Sequence, residues 1–201
     1  MTAKSKPTLS LIILNYNSQF WLKKTLSTLK QFYLDKTDYQ VETMVVDNNS
    51  HDDSVQMVKA DFPWVKLIEL EHNLGFSRGN NVALEQVETD YVMLMNNDVE
   101  LDPQSDLDQL IKFMEEKPQA GVITPKLNLA DGRLDQACHR GEPTPWASFT
   151  YFTGLEKLFP ESEVFGQYHQ TYKDLSQPHQ IDACSGAAML IRTAAMNKVG
   201  L

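Results

Sequence analysis

Three short polar segments each follow an apolar run. Val45-Val46 leads into Asp47-Asn48-Asn49-Ser50, and Leu67-Ile68-Glu69-Leu70 leads into a longer stretch from His72 to Asn81. Tyr91-Val92-Met93-Leu94-Met95 leads into Asn96-Asn97-Asp98. Carboxylates and amides placed just after buried strands supply oxygen ligands for a hard cation, and glycines let backbone approach a phosphorylated ligand closely. In open α/β sheets, ligands sit beyond the carboxyl ends of the strands. The combination points to an enzyme that uses a nucleotide together with a metal ion.

Each segment has its own chemistry. Asp98 can hold Mg²⁺ or Mn²⁺, and such an ion can bridge diphosphate oxygens. Its local sequence leaves a turn-capping role equally open, because Asp and Asn both favour turns. Asp47 can accept hydrogen bonds from a ring N–H or a ribose hydroxyl, since an ionised carboxylate is acceptor-only; capping the next helix is its plainer alternative. Asn73-Leu74-Gly75-Phe76-Ser77-Arg78-Gly79-Asn80-Asn81 brackets an arginine with two glycines. Arg78 can pair with phosphate, and the helix that follows offers N–H groups to an anion. The spacing fits neither a dinucleotide fingerprint nor a Walker loop. Asn15-Tyr16-Asn17 closes the first apolar run, where Tyr16 can stack on a base or close the core. The histidines at 51, 72, 139, 169 and 179 show no paired metal spacing and read as surface or core residues. Ser185 lacks the Gly-x-Ser-x-Gly elbow of a hydrolase.

These segments need strands and helices to position them. Apolar runs predict strands over Leu9–Leu14, Val41–Val46, Val65–Leu70, Tyr91–Met95 and from Val122. Leu22, Leu26, Leu29 and Tyr33 predict a helix over Ser18–Leu34 with Ser18 as N-cap. Further helices are predicted from Ser50 to Phe62, Arg78 to Gln86 and Leu107 to Glu116. After this alternation, Leu127–Leu134 reads as a hairpin turning at Asp131-Gly132. Residues 139–180, rich in proline and aromatics, read as an irregular insertion packed on the core. Met189–Ile191 is a late strand and Thr193–Val199 a final helix. The fold class is α/β: a mostly parallel central sheet with helices on both faces and a small antiparallel element.

At 201 residues the chain is expected to form one domain, with a nucleotide-binding half over 1–125 and an acceptor-side half over 126–201. The formal net charge of −9 excludes a general nucleic-acid binder, which needs a basic face. Cys138 and Cys184 make neither a disulfide framework nor a zinc spacing and read as reduced thiols of a cytoplasmic protein. No run is long and apolar enough to span a bilayer, and the start lacks the apolar region of a signal peptide. A peripheral contact with the inner face of a membrane stays open. The end at Val199-Gly200-Leu201, directly after a helical pattern, reads as the end of a fragment, with Gly200 as a C-cap being the alternative.

Taken in order, the segments resemble glycosyltransferase family 2, the inverting enzymes of GT-A fold. Leu11 to Asn17 resembles the family's opening strand, and Val46 to Ser50 its nucleotide-binding strand end. Asn73 to Asn81 resembles its Asn-x-Gly-Phe-x-x-Gly-Asn-Asn loop. Asn96-Asn97-Asp98 stands where the family has its metal motif, with the final acid alone retained. Ile181 to Arg192, Pro143-Thr144-Pro145-Trp146 and Leu155 to Pro160 are similar to members resembling rhamnosyltransferases. The resemblance implies a nucleotide-sugar donor, dTDP-rhamnose or a UDP-sugar, and a polysaccharide or lipid-linked acceptor. It implies a donor site of Asn15, Tyr16, Asn17, Asp47, Asn73, Gly75, Arg78, Gly79, Asn80 and Asn97, with a divalent cation, Mg²⁺ or Mn²⁺, at Asp98. It puts Asp182, Ser185 and Gly186 on the acceptor side. The family's base belongs to a Glu-Asp pair expected beyond Leu201, so a chain that binds donor but is impaired in transfer is anticipated. A sugar-nucleotide-binding or docking module and a nucleotidyltransferase are the alternatives. The latter would want a basic, glycine-rich loop after the first strand, and Asn15-Tyr16-Asn17-Ser18 is not one.

Overall fold

Residues 6–200 are described in a computed structural model. Continuous apolar runs become strands buried on both faces, as a parallel sheet requires. β1 (Thr8–Asn15), β2 (Gln40–Asp47), β3 (Lys66–Glu69) and β4 (Tyr91–Asn96) run parallel, and β5 (Val122–Ile123) and β6 (Ala188–Arg192) complete a sheet of order β3-β2-β1-β4-β6-β5. β6 pairs antiparallel with both β4 and β5. The helices are α1 (Gln19–Leu29), α2 (Ser54–Asp61), α3 (Gly75–Leu84), α4 (Leu107–Glu116), α5 (Pro145–Phe152), α6 (Leu155–Leu158) and α7 (Thr193–Val199).

Alternate residues of the strands explain the layering. Ile12, Met44, Val46, Val92 and Leu94 share one core cluster with Ala83 and Leu84 of α3 and Met196 of α7. The residues between them, Leu11, Ile13, Val45 and Met93, point the other way and are equally buried. Leu22, Leu26 and Leu29 of α1 and Ile111 and Met114 of α4 are also fully buried.

The chain forms two compact units, Met1–Ile123 with Gly186–Leu201, and Thr124–Ser185. The second unit ends at Ser185, and the described residues after it belong with the sheet. Residues after 185 return to the sheet because β6 has ladder partners on both sides. Arg192 fastens this return: Nη2 donates to the Met114 carbonyl at 2.6 Å and Nη1 to the Tyr91 hydroxyl at 2.9 Å.

Several local expectations need correction. The first helix passes into a π-helical turn over Lys30–Leu34. Ser18 makes no side-chain cap; Asp52 takes its place, with Oδ2 accepting from Gln19 N at 2.9 Å. The second helix starts at Ser54, again on Asp52, whose Oδ1 accepts from Ser54 N at 3.0 Å. One carboxylate thus caps two helices. The third helix starts at Gly75, three residues earlier than its periodicity suggests. The Asp131-Gly132 turn forms, with Gly132 at φ 81°, but its arms share an isolated bridge, Asn128 with Leu134, rather than a ladder. The stretch 139–180 contains α5 and α6; Pro145 occupies the first turn of α5, and Thr144 Oγ1 accepts from Ala147 N at 3.1 Å.

Candidate functional site

Parallel strands put their carboxyl ends on one edge. The chain runs from β1 outward to β2 and β3, then returns to lay β4 on the other side of β1. The gap between the ends of β1 and β4 is the topological switch point where ligands of open α/β sheets bind. In the ladder Asn15 is level with Asp47, and Leu14 with Asn96.

The side chains there form one hydrogen-bonded chain across three strands. Asn97 Nδ2 donates to Asn15 Oδ1 at 2.9 Å, and Asn15 Nδ2 donates to Asp47 Oδ1 at 3.1 Å. Asp47 Oδ2 accepts from Ser50 N at 2.8 Å. Ser50 Oγ in turn accepts from Asn15 Nδ2 at 3.2 Å and from Asn17 N at 2.9 Å. Asp47 is only 3% exposed, so this carboxylate is held by protein donors rather than offered openly. Asn17 and Asn49 both take left-handed backbone, φ 47° and 65°, which asparagine tolerates better than most residues. Asn17 Oδ1 accepts from His51 N at 2.7 Å, which ties the two loops together. Tyr16 stands 46% exposed beside this network in sequence.

Asp98 lies in the turn after β4 and is exposed. Thr25 Oγ1 of α1 donates to the Asn97 carbonyl at 2.8 Å and holds that turn. Among the described residues no three His, Cys, Asp or Glu side chains gather into a metal cage. The donor set is one exposed carboxylate beside amide oxygens. That suits Mg²⁺ or Mn²⁺ held through one or two carboxylates, with water and substrate phosphate completing the shell.

The loop before α3 is anchored from β2. Leu74 N donates to Asn48 Oδ1 at 2.8 Å, and Asn48 Nδ2 donates to Asn73 Oδ1 at 3.0 Å. Asn73 Oδ1 also accepts from Gly75 N at 2.8 Å, where φ 77° calls for glycine. Arg78 is exposed in the first turn of α3. Gly79 instead serves packing: a β-carbon there would sit 2.7 Å from Leu14 Cδ1. Asn80 is likewise buried and donates to the Phe76 carbonyl at 2.9 Å.

Gly186 reaches the end of β4, because Asn96 N donates to the carbonyl of the next residue, Ala187, at 2.8 Å. A β-carbon on Gly186 would meet the Phe76 ring at 3.0 Å, and that ring is 52% exposed. Asp182 and half-buried Ser185 belong to the unit Thr124–Ser185. Asp182 is exposed, and its Oδ2 accepts from Gln170 Nε2 at 3.0 Å and from Glu142 N at 3.2 Å.

Asn48, Ser50, Asp52 and Phe76 were not anticipated as site residues. Their signal was their place in the same polar runs; what each would bond to depends on register.

The profile of Glycosyl transferase family 2 matches residues 10–200. The chain belongs to glycosyl transferase family 2. It is 25% identical over 175 residues to the N-acetylglucosaminyl-diphospho-decaprenol L-rhamnosyltransferase of Mycobacterium tuberculosis, covering 82% of this chain and 56% of that protein. It is 29% identical over 127 residues to the poly(ribitol-phosphate) beta-N-acetylglucosaminyltransferase TarS of Staphylococcus aureus, covering 62% of this chain and 22% of TarS. The chain thus spans about half of the first relative and less of the second. The structure of TarS residues 1–349 with UDP-GlcNAc superposes with a TM-score of 0.52 at 27% identity, over 70% of this chain and 38% of that one. The mannosyltransferase PcManGT of Pyrobaculum calidifontis, solved with GDP-Man and Mn²⁺, has a TM-score of 0.54 at 20% identity, over 62% of this chain and 36% of that one. These neighbours are GT-A glycosyltransferases, and the mostly parallel sheet of this family 2 chain has that fold.

Proposed function

We propose that this chain carries the donor site of a glycosyltransferase that moves a sugar from a nucleoside-diphosphate donor to a hydroxyl of a glycan or lipid-linked acceptor, with inversion. The observation that carries the reading is the Asn97–Asn15–Asp47–Ser50 hydrogen-bond chain at the switch point, with Asp98 exposed beside it. Asn15, Tyr16, Asn17, Asp47, Asn73, Gly75, Arg78 and Asn97 line the donor site, with Gly79 and Asn80 supporting it from within α3. A UDP-sugar or dTDP-rhamnose fits the kinds of relative described above. The acceptor belongs to cell-wall polysaccharide synthesis.

Asp98 would hold Mg²⁺ or Mn²⁺, which when bound neutralises charge on a departing nucleoside diphosphate. The protein's own part is to fix the donor before chemistry. The strand-end network locks Asn15 and Asp47 in place, which limits reorganisation on binding. We place the reaction in the cytoplasm, at the inner membrane face where a lipid-linked acceptor would be met; no described helix is long and apolar enough to cross a membrane.

The test is calorimetric titration with UDP, dTDP and GDP, with and without Mn²⁺, for the wild type and Asp98→Ala. Metal-dependent binding of one nucleotide, lost in the variant, is the expected result. Binding that ignores both metal and Asp98 would remove the metal assignment, and a folded protein that binds none of the three would remove the donor site.

A further inference from the structure

Asn48 follows β2 directly, and nothing in its sequence separates it from the asparagine beside it. The structure separates them. Asn49 is half-buried with left-handed backbone, whereas Asn48 is 3% exposed and has its whole side-chain amide engaged. Its backbone N–H donates to the Asn15 carbonyl at 2.8 Å, which fixes it to the end of β1. Its side-chain oxygen accepts from Leu74 N at 2.8 Å, and its NH₂ donates to Asn73 Oδ1 at 3.0 Å and to the Gly75 carbonyl at 3.3 Å. One amide therefore holds three consecutive residues of the loop before α3. The same NH₂ lies 3.6 Å from where a β-carbon on Gly79 would stand, so the first turns of α3 close over it.

We propose that Asn48 is the positioning residue of the nucleotide site: it touches no ligand, and it sets the conformation of Asn73-Leu74-Gly75 and so the direction in which α3 presents its first turn and Arg78. The inference rests on the donor-site reading above. The physical reason is entropic. A loop that must take φ 77° at Gly75 has many competing conformations, because glycine is the least restrained residue. Three hydrogen bonds from one buried side-chain amide select a single one before any ligand arrives. Without them the ordering cost falls on binding, as it does for any loop fixed only by its ligand.

Two variants separate positioning from mere stability. Asn48→Ala removes all three side-chain bonds. Asn48→Asp keeps the volume and the acceptor for Leu74 N, but faces Asn73 Oδ1 and the Gly75 carbonyl with oxygen instead of NH₂. The experiment uses the full chain well below its melting temperature. It reads amide hydrogen exchange at Leu74 and Gly75, and nucleotide dissociation constants with Mn²⁺ for whichever of UDP, dTDP or GDP the wild type binds. Each variant is expected to exchange faster at Leu74 and Gly75 while β1 and β4 amides keep their protection, and to bind nucleotide about 10-fold more weakly, the equivalent of one net hydrogen bond. Unchanged exchange at those two amides would overturn the positioning role. Faster exchange with unaltered nucleotide affinity would overturn its link to the site. A wild type that binds no nucleotide would remove the donor-site reading and this inference with it; the exchange data would still report the loop by itself. Should Asn48→Ala fail to fold, Asn48→Asp carries the same readouts.

Discussion

Asp52 is a carboxylate with two duties, and removing it is a sharp test of how the loops around the site are held. Its Oδ2 accepts from Gln19 N at the start of α1 and its Oδ1 from Ser54 N at the start of α2. A single cap is worth about 0.5–2 kcal/mol, so losing both in Asp52→Ala should cost about 2 kcal/mol. For a chain of this size that lowers the melting temperature by about 4–8 °C. Asp52→Asn retains one acceptor oxygen and should lose about half as much. The charge state supplies a second signature. Burial pulls the Asp52 carboxyl upward, but the hydrogen bonds from Ser54 and Gln19 outweigh it and hold the group below the usual carboxylate value of 3.8. A group depressed in the folded state stabilises above its unfolded pKa and loses that contribution as pH falls through its folded one. The gap between wild type and Asp52→Ala should thus be full at about pH 7 and narrow below about pH 4. Thermal and urea unfolding across that range measure it. A variant melting within about 1 °C of wild type at neutral pH would refute the shared cap, since one surviving cap alone should move it further.

The unit Thr124–Ser185 gives two more expectations. His139 is buried, edge-on to His179, and neither ring nitrogen has a hydrogen-bond partner among the described residues. Burial, then the nearby His179, His169 and Lys173, push its pKa below 6.5, so the unfolded chain takes up the proton first and stability falls as pH drops below about 6.5. Urea unfolding of His139→Phe should lose less stability than wild type between about pH 7.5 and pH 5.5; an equal loss would exclude His139 as the cause. At Gly141 a β-carbon would sit 2.2 Å from the Gln167 carbonyl oxygen, a backbone atom that cannot swing aside. Gly141→Ala should therefore cost about 2–3 kcal/mol by denaturant titration, against less than 1 for a tolerated glycine replacement.

The strands were legible because each is a continuous apolar run with a polar end, a pattern that a parallel sheet buried on both faces imposes and loops do not. Leu11-Ile12-Ile13 and Tyr91 to Met95 are buried throughout. Asp47, Asn15 and Asn97 stand out for the same reason, as polar residues stranded at the end of such runs, and the structure joins them in one hydrogen-bond chain. Partnership was not legible. Ser18 looks like a cap, but its side chain makes no cap bond, and Asp52 from another loop accepts instead from the first helical N–H, that of Gln19. Asn80 reads from sequence as a loop amide, and that its NH₂ would donate to the Phe76 carbonyl one turn back depends on its being inside α3. α5 was hidden by its prolines and aromatics, although Thr144-Pro145 is itself a helix-start signal, a cap followed by a residue that has no N–H to satisfy. The return of residues after 185 to the sheet was missed because a short apolar run does not state which edge it will pair with.

That return has a consequence for how such a chain can change over time. The segment Thr124–Ser185 leaves the sheet after β5 and rejoins it through β6, and Ile123 is the ladder partner of Leu190. To the sheet, the whole segment is a long loop whose two ends are already side by side. Closing a loop costs entropy that grows only with the logarithm of its length; shortening it about sixfold would regain about 1.6 kcal/mol. Insertions, deletions or wholesale exchange inside it are therefore cheap for the parallel strands, whose ladder β3-β2-β1-β4 is built without it. A chimera that swaps residues 124–185 as a whole between relatives should keep the ladder β3-β2-β1-β4 folded.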